Sequence, residues 1–134
     1  CVVVMAGTAT TVDTLDGDGR FRGGLILPGL DLMRRSLARD TAALPLAAGK
    51  YSVYPRCTDD AIISGCIEAQ AGAIERACAR LGDEVVCLLS GGAAGFVGEH
   101  LNVPHRPVAN LVLEGLLRLA EVELSIHAAG KNSG

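Results

Sequence analysis

Val2–Asp13 reads VVVMAGTATTVD. A β-branched apolar run enters a glycine, passes a cluster of hydroxyls and ends on a carboxylate. Continuous apolar runs of this length are typical of strands buried on both faces, so Cys1 to Met5 predicts a buried strand. Thr10 to Leu15 predicts a second strand. Asp16-Gly17-Asp18-Gly19 is a hairpin turn signal, because Asp and Gly tolerate the backbone angles a tight turn needs. Arg20 to Leu27 predicts a third strand, with Gly23-Gly24 inside it and Pro28-Gly29 stopping it. Three strands joined this tightly predict an antiparallel meander at the edge of a sheet.

Beyond Gly29 the period changes from two to about 3.6. Leu30, Met33 and Leu37 predict an amphipathic helix ending near Asp40, with Arg34, Arg35 and Arg39 more exposed. Residues 41–56 carry Pro45, Gly49 and Pro55 and predict a loop, long enough to suggest a functional one. Thr58 is placed to cap a helix reaching about Leu81, with Asp59 and Asp60 near the positive end of its dipole. Its apolar stripe is Ile62, Cys66, Ala69, Ala73 and Ala77. Gly65 and Gly72 lower helix propensity and would admit a close neighbour, either the sheet or a partner helix. Gly82-Asp83 turns the chain into a buried strand, Val85 to Leu89, parallel to its neighbour because a helix precedes it. Ser90-Gly91-Gly92-Ala93-Ala94 follows, then a short helix to about Glu99. Val103 to Val108 is extended, and Asn110 caps a last helix carrying Leu111, Leu113, Leu116 and Leu117. The pattern is lost from 125. The reading is one α/β half-domain over 1–122, a sheet covered by helices, and a poorly ordered tail over 123–134.

Composition narrows the function. The 134 residues suffice for one ordinary domain; 49% are hydrophobic, with no Trp, two Tyr and two Phe. Small side chains of this kind suit helices packed closely on a sheet. A formal charge of −3 with no basic block argues against a nucleic-acid surface. An anionic ligand remains open, since backbone N–H groups bind phosphate without Lys or Arg. The five Cys, at 1, 57, 66, 78 and 87, have no zinc-site spacing, and Cys66 and Cys78 would lie about 18 Å apart on one helix. Reduced, mostly buried thiols and a cytoplasmic location are expected. No apolar run is long enough to span a bilayer. Starting inside a strand suggests a piece of a longer protein.

VVVMAGTAT and VVCLLSGGAA share a design: a buried strand enters a glycine turn edged with hydroxyls. Such turns leave N–H groups free, and glycine lets a ligand approach the backbone. Thr8, Thr10 and Thr11 could give hydroxyls to a phosphate. Strand alternation places Thr11 and Asp13 on one face, where Asp13 could hold a metal, hold its waters, or bond the hairpin. Gly91-Gly92 could lie against a ring or a phosphate. Each turn could equally be a plain loop, and neither fits the P-loop or the G-x-G-x-x-G pattern. Together they point to a nucleotide or phosphoester cleft. A side chain at Gly91 is accordingly expected to weaken nucleotide binding more than stability. His100, His105 and His127 have no ligand-spaced partners, and His100 and His105 are expected at the surface.

In this order and spacing the segments resemble the type III pantothenate kinases, relatives of actin and the sugar kinases. Gly7–Asp13 (GTATTVD) resembles the family's second phosphate-binding stretch. Gly19–Gly29 (GRFRGGLILPG) resembles its next hairpin. Thr58, Ala61-Ile62 and Ser64-Gly65 resemble its Thr-x-x-Ala-Ile-x-Ser-Gly helix start. Leu88–Ala94 (LLSGGAA) resembles its adenosine-side turn, and Asn110–Leu116 (NLVLEGL) its closing helix.

The resemblance implies a ribonuclease H-like, actin-like ATPase half-domain with a mixed sheet and a three-stranded meander. It implies ATP-dependent phosphorylation of pantothenate, the first step toward coenzyme A, by a homodimer joined through the 58–81 helix. Gly7, Thr8 and Thr10 would bind the ATP phosphates. Ser90, Gly91 and Gly92 would lie by the adenosine, and Thr58 would reach pantothenate across the dimer. Mg2+ would bridge the phosphates, with Asp13 in its outer shell. The family's Asp-x-Gly-Asn-Thr loop and the Gly-x-Asp-Arg segment bearing its catalytic Asp are not in this chain. The chain therefore resembles the C-terminal half, expected to be inactive without the N-terminal one. Met5 stands where family members often carry an Asp associated with K+ or NH4+, and a thioether is a poor ligand for such cations. A Bvg accessory factor-type regulator, another superfamily kinase and a non-catalytic nucleotide-binding subunit are the alternatives.

Overall fold

The computed structural model describes residues 1–82 and 84–131, with backbone alone from 127. The predicted meander is present as β1 (Val2–Ala6), β2 (Ala9–Leu15) and β3 (Phe21–Pro28). β1 and β2 pair antiparallel, Val4 opposite Val12, and β2 pairs antiparallel with β3. The hairpin closes as its residues dictate. Asp16 Oδ1 accepts from the amides of Asp18 (3.1 Å) and Arg20 (2.9 Å), and Gly19 takes φ +76°.

Helix α1 spans Leu30–Asp40 and α2 spans Thr58–Ala79. β4 (Cys87–Ser90) lies parallel to β1, and α3 (Ala94–Gly98) leads to β5 (His105–Pro107), parallel to β4. The sheet order is β3-β2-β1-β4-β5. α4 spans Leu111–Lys131.

The core lies on one face of the sheet. Val2, Val4, Ala6, Val12, Cys87 and Leu89 point toward α2 and α3 and meet Ile74, Ala77, Cys78 and Val97. Each large aliphatic side chain buried here contributes about 1.5–3 kcal/mol. A second cluster joins α1, α2 and the 41–57 loop through Ile62, Ile63, Cys66, Ile67 and Ala47. The expected helical cover is therefore one-sided among the described residues. Met5, Thr11 and Ile26 share the opposite face by register, and Ile26 is 81% exposed.

Several local expectations change. Cys57, not Thr58, occupies the N-cap position of α2, in extended geometry and without a side-chain cap bond. Of the expected α2 stripe, Ile62, Cys66 and Ala77 are buried, together with Ile63, Ile67, Gln70 and Ile74, whereas Ala69, Gly65 and Gly72 are exposed. A stripe chosen by hydrophobicity alone could not distinguish these faces, because small residues occur on both. Nothing lies within 4 Å of a Cβ built on Gly65 or Gly72, so the sheet is not their close neighbour. Arg34 is half-buried, its Nε and Nη2 both donating to the Ala47 carbonyl at 3.1 and 2.5 Å. Asn110 sits at φ +55°, not in the extended geometry of a side-chain cap. α4 stays helical past 124, and its leucines are exposed, Leu113 by 62% and Leu117 by 60%. The last residues of the expected tail, 132–134, lie outside the described residues, as does the His127 side chain.

The long loop is tied down as it crosses the helices. Besides the Arg34 bonds, Lys50 N donates to Asp60 Oδ1 (2.8 Å) and Ser52 N to Ser64 Oγ (2.9 Å). The Lys50 amide, then a Cys57 hydrogen bond, holds the Asp60 carboxyl below its ordinary value.

Candidate functional site

The β1–β2 turn and the β4–α3 turn come together at the strand ends. Ala93 N donates to Ala6 O at 3.0 Å, binding the second turn to the first. Gly91 makes that approach possible. Its φ is +103°, and a Cβ there would collide with Ala6 O and come within 2.8 Å of Ala6 C and 2.9 Å of Ala6 N. Gly29 does the same from below: its amide donates to Thr8 O at 2.8 Å, and a Cβ would strike Gly7 O.

A cavity of about 660 Å³ opens between these turns, α1 and α2. Gly7, Thr8 and Gly92, candidates from the sequence, line it. Arg34, the Ala48-Gly49 segment and Phe96 also line it; sequence reading missed them as site residues. The flagged 41–56 loop was the available signal for Ala48 and Gly49. Gly7's own amide is committed to Ala9 O (3.1 Å), which leaves the Thr8 amide and hydroxyl as the donors that turn can offer. Cys66 also lines the cavity, and burial pushes its thiol up while Arg34 opposes this. A raised thiol is a poor nucleophile.

Other expected residues lie elsewhere. Thr10 is 2% exposed, buried in β2 on the core face. Ser90, Gly91 and Met5 line a neighbouring cavity of about 570 Å³, shared with Gly92 and reaching Pro107, Asn110 and Leu113. Thr58 is exposed and lines a third space with Met33, Leu37, Ala61 and Gly65, which shares Cys66 with the first.

Asp13 is not a lining residue of the main cavity. It sits three residues along β2 from Thr10, about 10 Å, accepts from Thr11 Oγ1 at 3.2 Å and leans over Gly24, whose missing Cβ leaves room for it. Among the described residues no group of three or more His, Cys, Asp or Glu is placed to hold a metal ion.

The thiols are free, and Cys66, Cys78 and Cys87 are buried, while Cys57 is exposed. Burial, with Cys78 alongside, pushes Cys87 up to about 12. His100 stacks edge-on against Tyr51 with centroids 4.3 Å apart, and its Nδ1 meets Phe96 O at 2.8 Å; His105 Nδ1 meets Val103 O at 3.0 Å. Both are half-buried. No helix of the described residues is long and apolar enough to cross a membrane.

The structure is thus an α/β layer covered on one face, with a cavity at its strand ends where two glycine turns meet helix side chains. Comparison with known proteins carries the assignment further. The model of the type III pantothenate kinase family matches residues 1–80, and the chain belongs to that family. It is 65% identical over 120 residues to the type III pantothenate kinase of Dechloromonas aromatica (strain RCB), covering 89% of this chain and 50% of that protein. It is 55% identical over 125 residues to the enzyme of that name from Azoarcus sp. (strain BH72), covering 92% and 48%. The chain thus spans about half the length of the curated relatives it matches. A solved structure from Campylobacter jejuni, described as a Baf family transcriptional activator, superposes with a TM-score of 0.72 at 21% identity, covering 92% of this chain and 58% of that one. At that identity it speaks for the fold alone.

Proposed function

We propose that this chain is the C-terminal, actin-like half of a kinase that transfers phosphate from ATP to pantothenate, in the first step of coenzyme A synthesis. One observation carries the reading: two glycine turns, far apart in sequence, line one cavity at the strand ends of a family member. The sheet order, an antiparallel meander continued by two parallel strands, supports the actin-like assignment.

In this reading the Thr8 amide and hydroxyl hold ATP phosphate oxygens, and the Gly91-Gly92 turn flanks the adenosine. Phosphoryl transfer needs positioning and charge stabilisation more than covalent chemistry from the protein, which suits a cavity edged by glycine-turn backbone and Arg34. The general base is an Asp of the other half. Mg2+ would supply charge neutralisation at the phosphates; Asp13, off the main cavity, is not placed to hold it there. The K+ or NH4+ role is left to oxygen donors other than Met5. Thr58, exposed at the start of α2, meets pantothenate from a partner subunit, and the exposed Gly65, Ala69 and Gly72 stripe is the face along which two α2 helices pack. The bared leucines of α4 pack against the missing half, in a cytoplasmic enzyme.

The test is phosphorylation of pantothenate by the full-length protein carrying this half, with this chain alone as control. Turnover by the longer protein only is expected. A pure, folded full-length protein that binds ATP yet leaves pantothenate unmodified would overturn the reading.

A further inference from the structure

Gln70, on the core face of α2, is a residue that hydrophobic packing does not explain. Gln70 is 0% exposed, set among Ile63, Ile67, Ala71 and Ile74. Its Nε2 donates to the carbonyl of Pro28 at 2.6 Å, while its Oε1 is buried with no partner. The amide orientation follows from chemistry, because the Pro28 oxygen can only accept; the flipped amide would set two acceptors face to face. A buried, half-satisfied amide costs stability compared with an aliphatic side chain of similar volume. Its use lies in what it grips.

Pro28 ends β3, and the next residue is the hinge of the site. Gly29 donates its amide to Thr8 O at 2.8 Å, lies so close that any Cβ would strike Gly7 O, and accepts the first α1 bond, from Met33 N at 2.9 Å. A continuous set of contacts therefore runs from Gln70 to Pro28 O, through Gly29, to the back of the Gly7–Thr8 turn. Gln70 itself is not among the cavity's lining residues.

We propose that Gln70 is a positioning residue: from α2 it fixes the Pro28–Gly29 junction and thereby holds the Gly7–Thr8 turn in the geometry that receives the nucleotide phosphates. This rests on the reading of that turn as the phosphate side of the site. α2 is also the helix whose exposed stripe faces a partner in that reading, so the same rigid element registers both the turn and the subunit contact.

The test compares Gln70→Met and Gln70→Leu with wild type in the full-length protein. Both keep the volume and remove the donor. Melting temperatures within about 5 °C of wild type are expected, since the orphaned Oε1 leaves with the donor. Hydrogen exchange at the Gly29 and Gly7 amides should speed up at least about tenfold, while Val4 and Leu89 amides stay as they were. Displacement of a positioning turn costs up to about a hundredfold in rate, so kcat/KM for ATP should fall by roughly 10–100-fold with the pantothenate KM unchanged. Unchanged exchange at Gly29 and Gly7 would overturn the proposal whatever reaction the protein catalyses. So would failure of both variants to fold, which would make Gln70 a plain requirement of the core. Faster exchange in a wild-type background that never phosphorylates pantothenate would support the positioning role and strike the proposed substrate instead.

Discussion

Replacing Gly91 by Ala separates a structural glycine from a ligand-facing one. Gly91 holds φ +103°, a region where a side chain costs about 1–3 kcal/mol. The new Cβ would also meet backbone: Ala6 O in collision, Ala6 C at 2.8 Å and Ala6 N at 2.9 Å. Backbone in a paired strand cannot rotate aside as a side-chain tip can. Overpacking of this kind adds about 1–3 kcal/mol. Together the loss is roughly 2–6 kcal/mol out of the roughly 5–15 kcal/mol that holds a protein folded. At about 2–4 °C per kcal/mol for a protein of twice this length, thermal unfolding followed by circular dichroism should shift down by at least about 4 °C. Gly92→Ala is the control: its Cβ has nothing within 4 Å, and its stability should stay within about 0.5 kcal/mol of wild type. A Gly91→Ala protein melting within about 2 °C of wild type would refute the close-approach reasoning. The backbone clash points to a loss of stability at Gly91, where the sequence led to the expectation that a side chain would harm nucleotide binding more than folding.

The ligand test moves one residue along. Gly92→Val should weaken ATP binding at least about tenfold by calorimetry with the melting temperature nearly unchanged, because Gly92 opens onto both neighbouring cavities; an unaltered Kd would remove the turn from the site. Thr58→Ala should leave stability within about 0.5 kcal/mol, as Cys57 holds the cap position, yet raise the pantothenate KM roughly 3–10-fold through one lost hydrogen bond. An unchanged KM would leave Thr58 with no role at the site. Asp60 has a folded-state pKa held below 3.8, chiefly by the Lys50 amide, so its contribution is full above that value and is lost as pH falls below it. The stability gap between wild type and Asp60→Asn, followed by urea unfolding from pH 6 to pH 2.5, should close in acid; a gap independent of pH would show that the bond does not depend on the charge.

The meander, the order of elements and the two glycine turns were legible in the sequence because each is a local signal. β-branched runs, Asp-Gly turns and a change of period from two to 3.6 act over a few residues, and they set β1–β3, α1 and α2 within a residue or two of their observed limits. The family resemblance added what no single motif carried. Faces were another matter. Thr10 and Thr8 look alike in the string GTATT, yet one is buried in the core and the other lines the cavity, because the sheet acquires an inside only when α2 packs on it. Gly91 and Gly92 are likewise identical in sequence and opposite in role, since the carbonyl that excludes a side chain at Gly91 belongs to Ala6, 85 positions earlier. Asp13 looked like a metal partner in the string, but in the fold it accepts from Thr11 Oγ1, leans over Gly24 and is not among the lining residues of the main cavity. Gln70 could not be told from a surface glutamine until the helix chose its buried face. Local sequence sets backbone preference; long-range packing decides which atoms meet, because burial and close approach are properties of pairs of segments that the chain brings together only on folding.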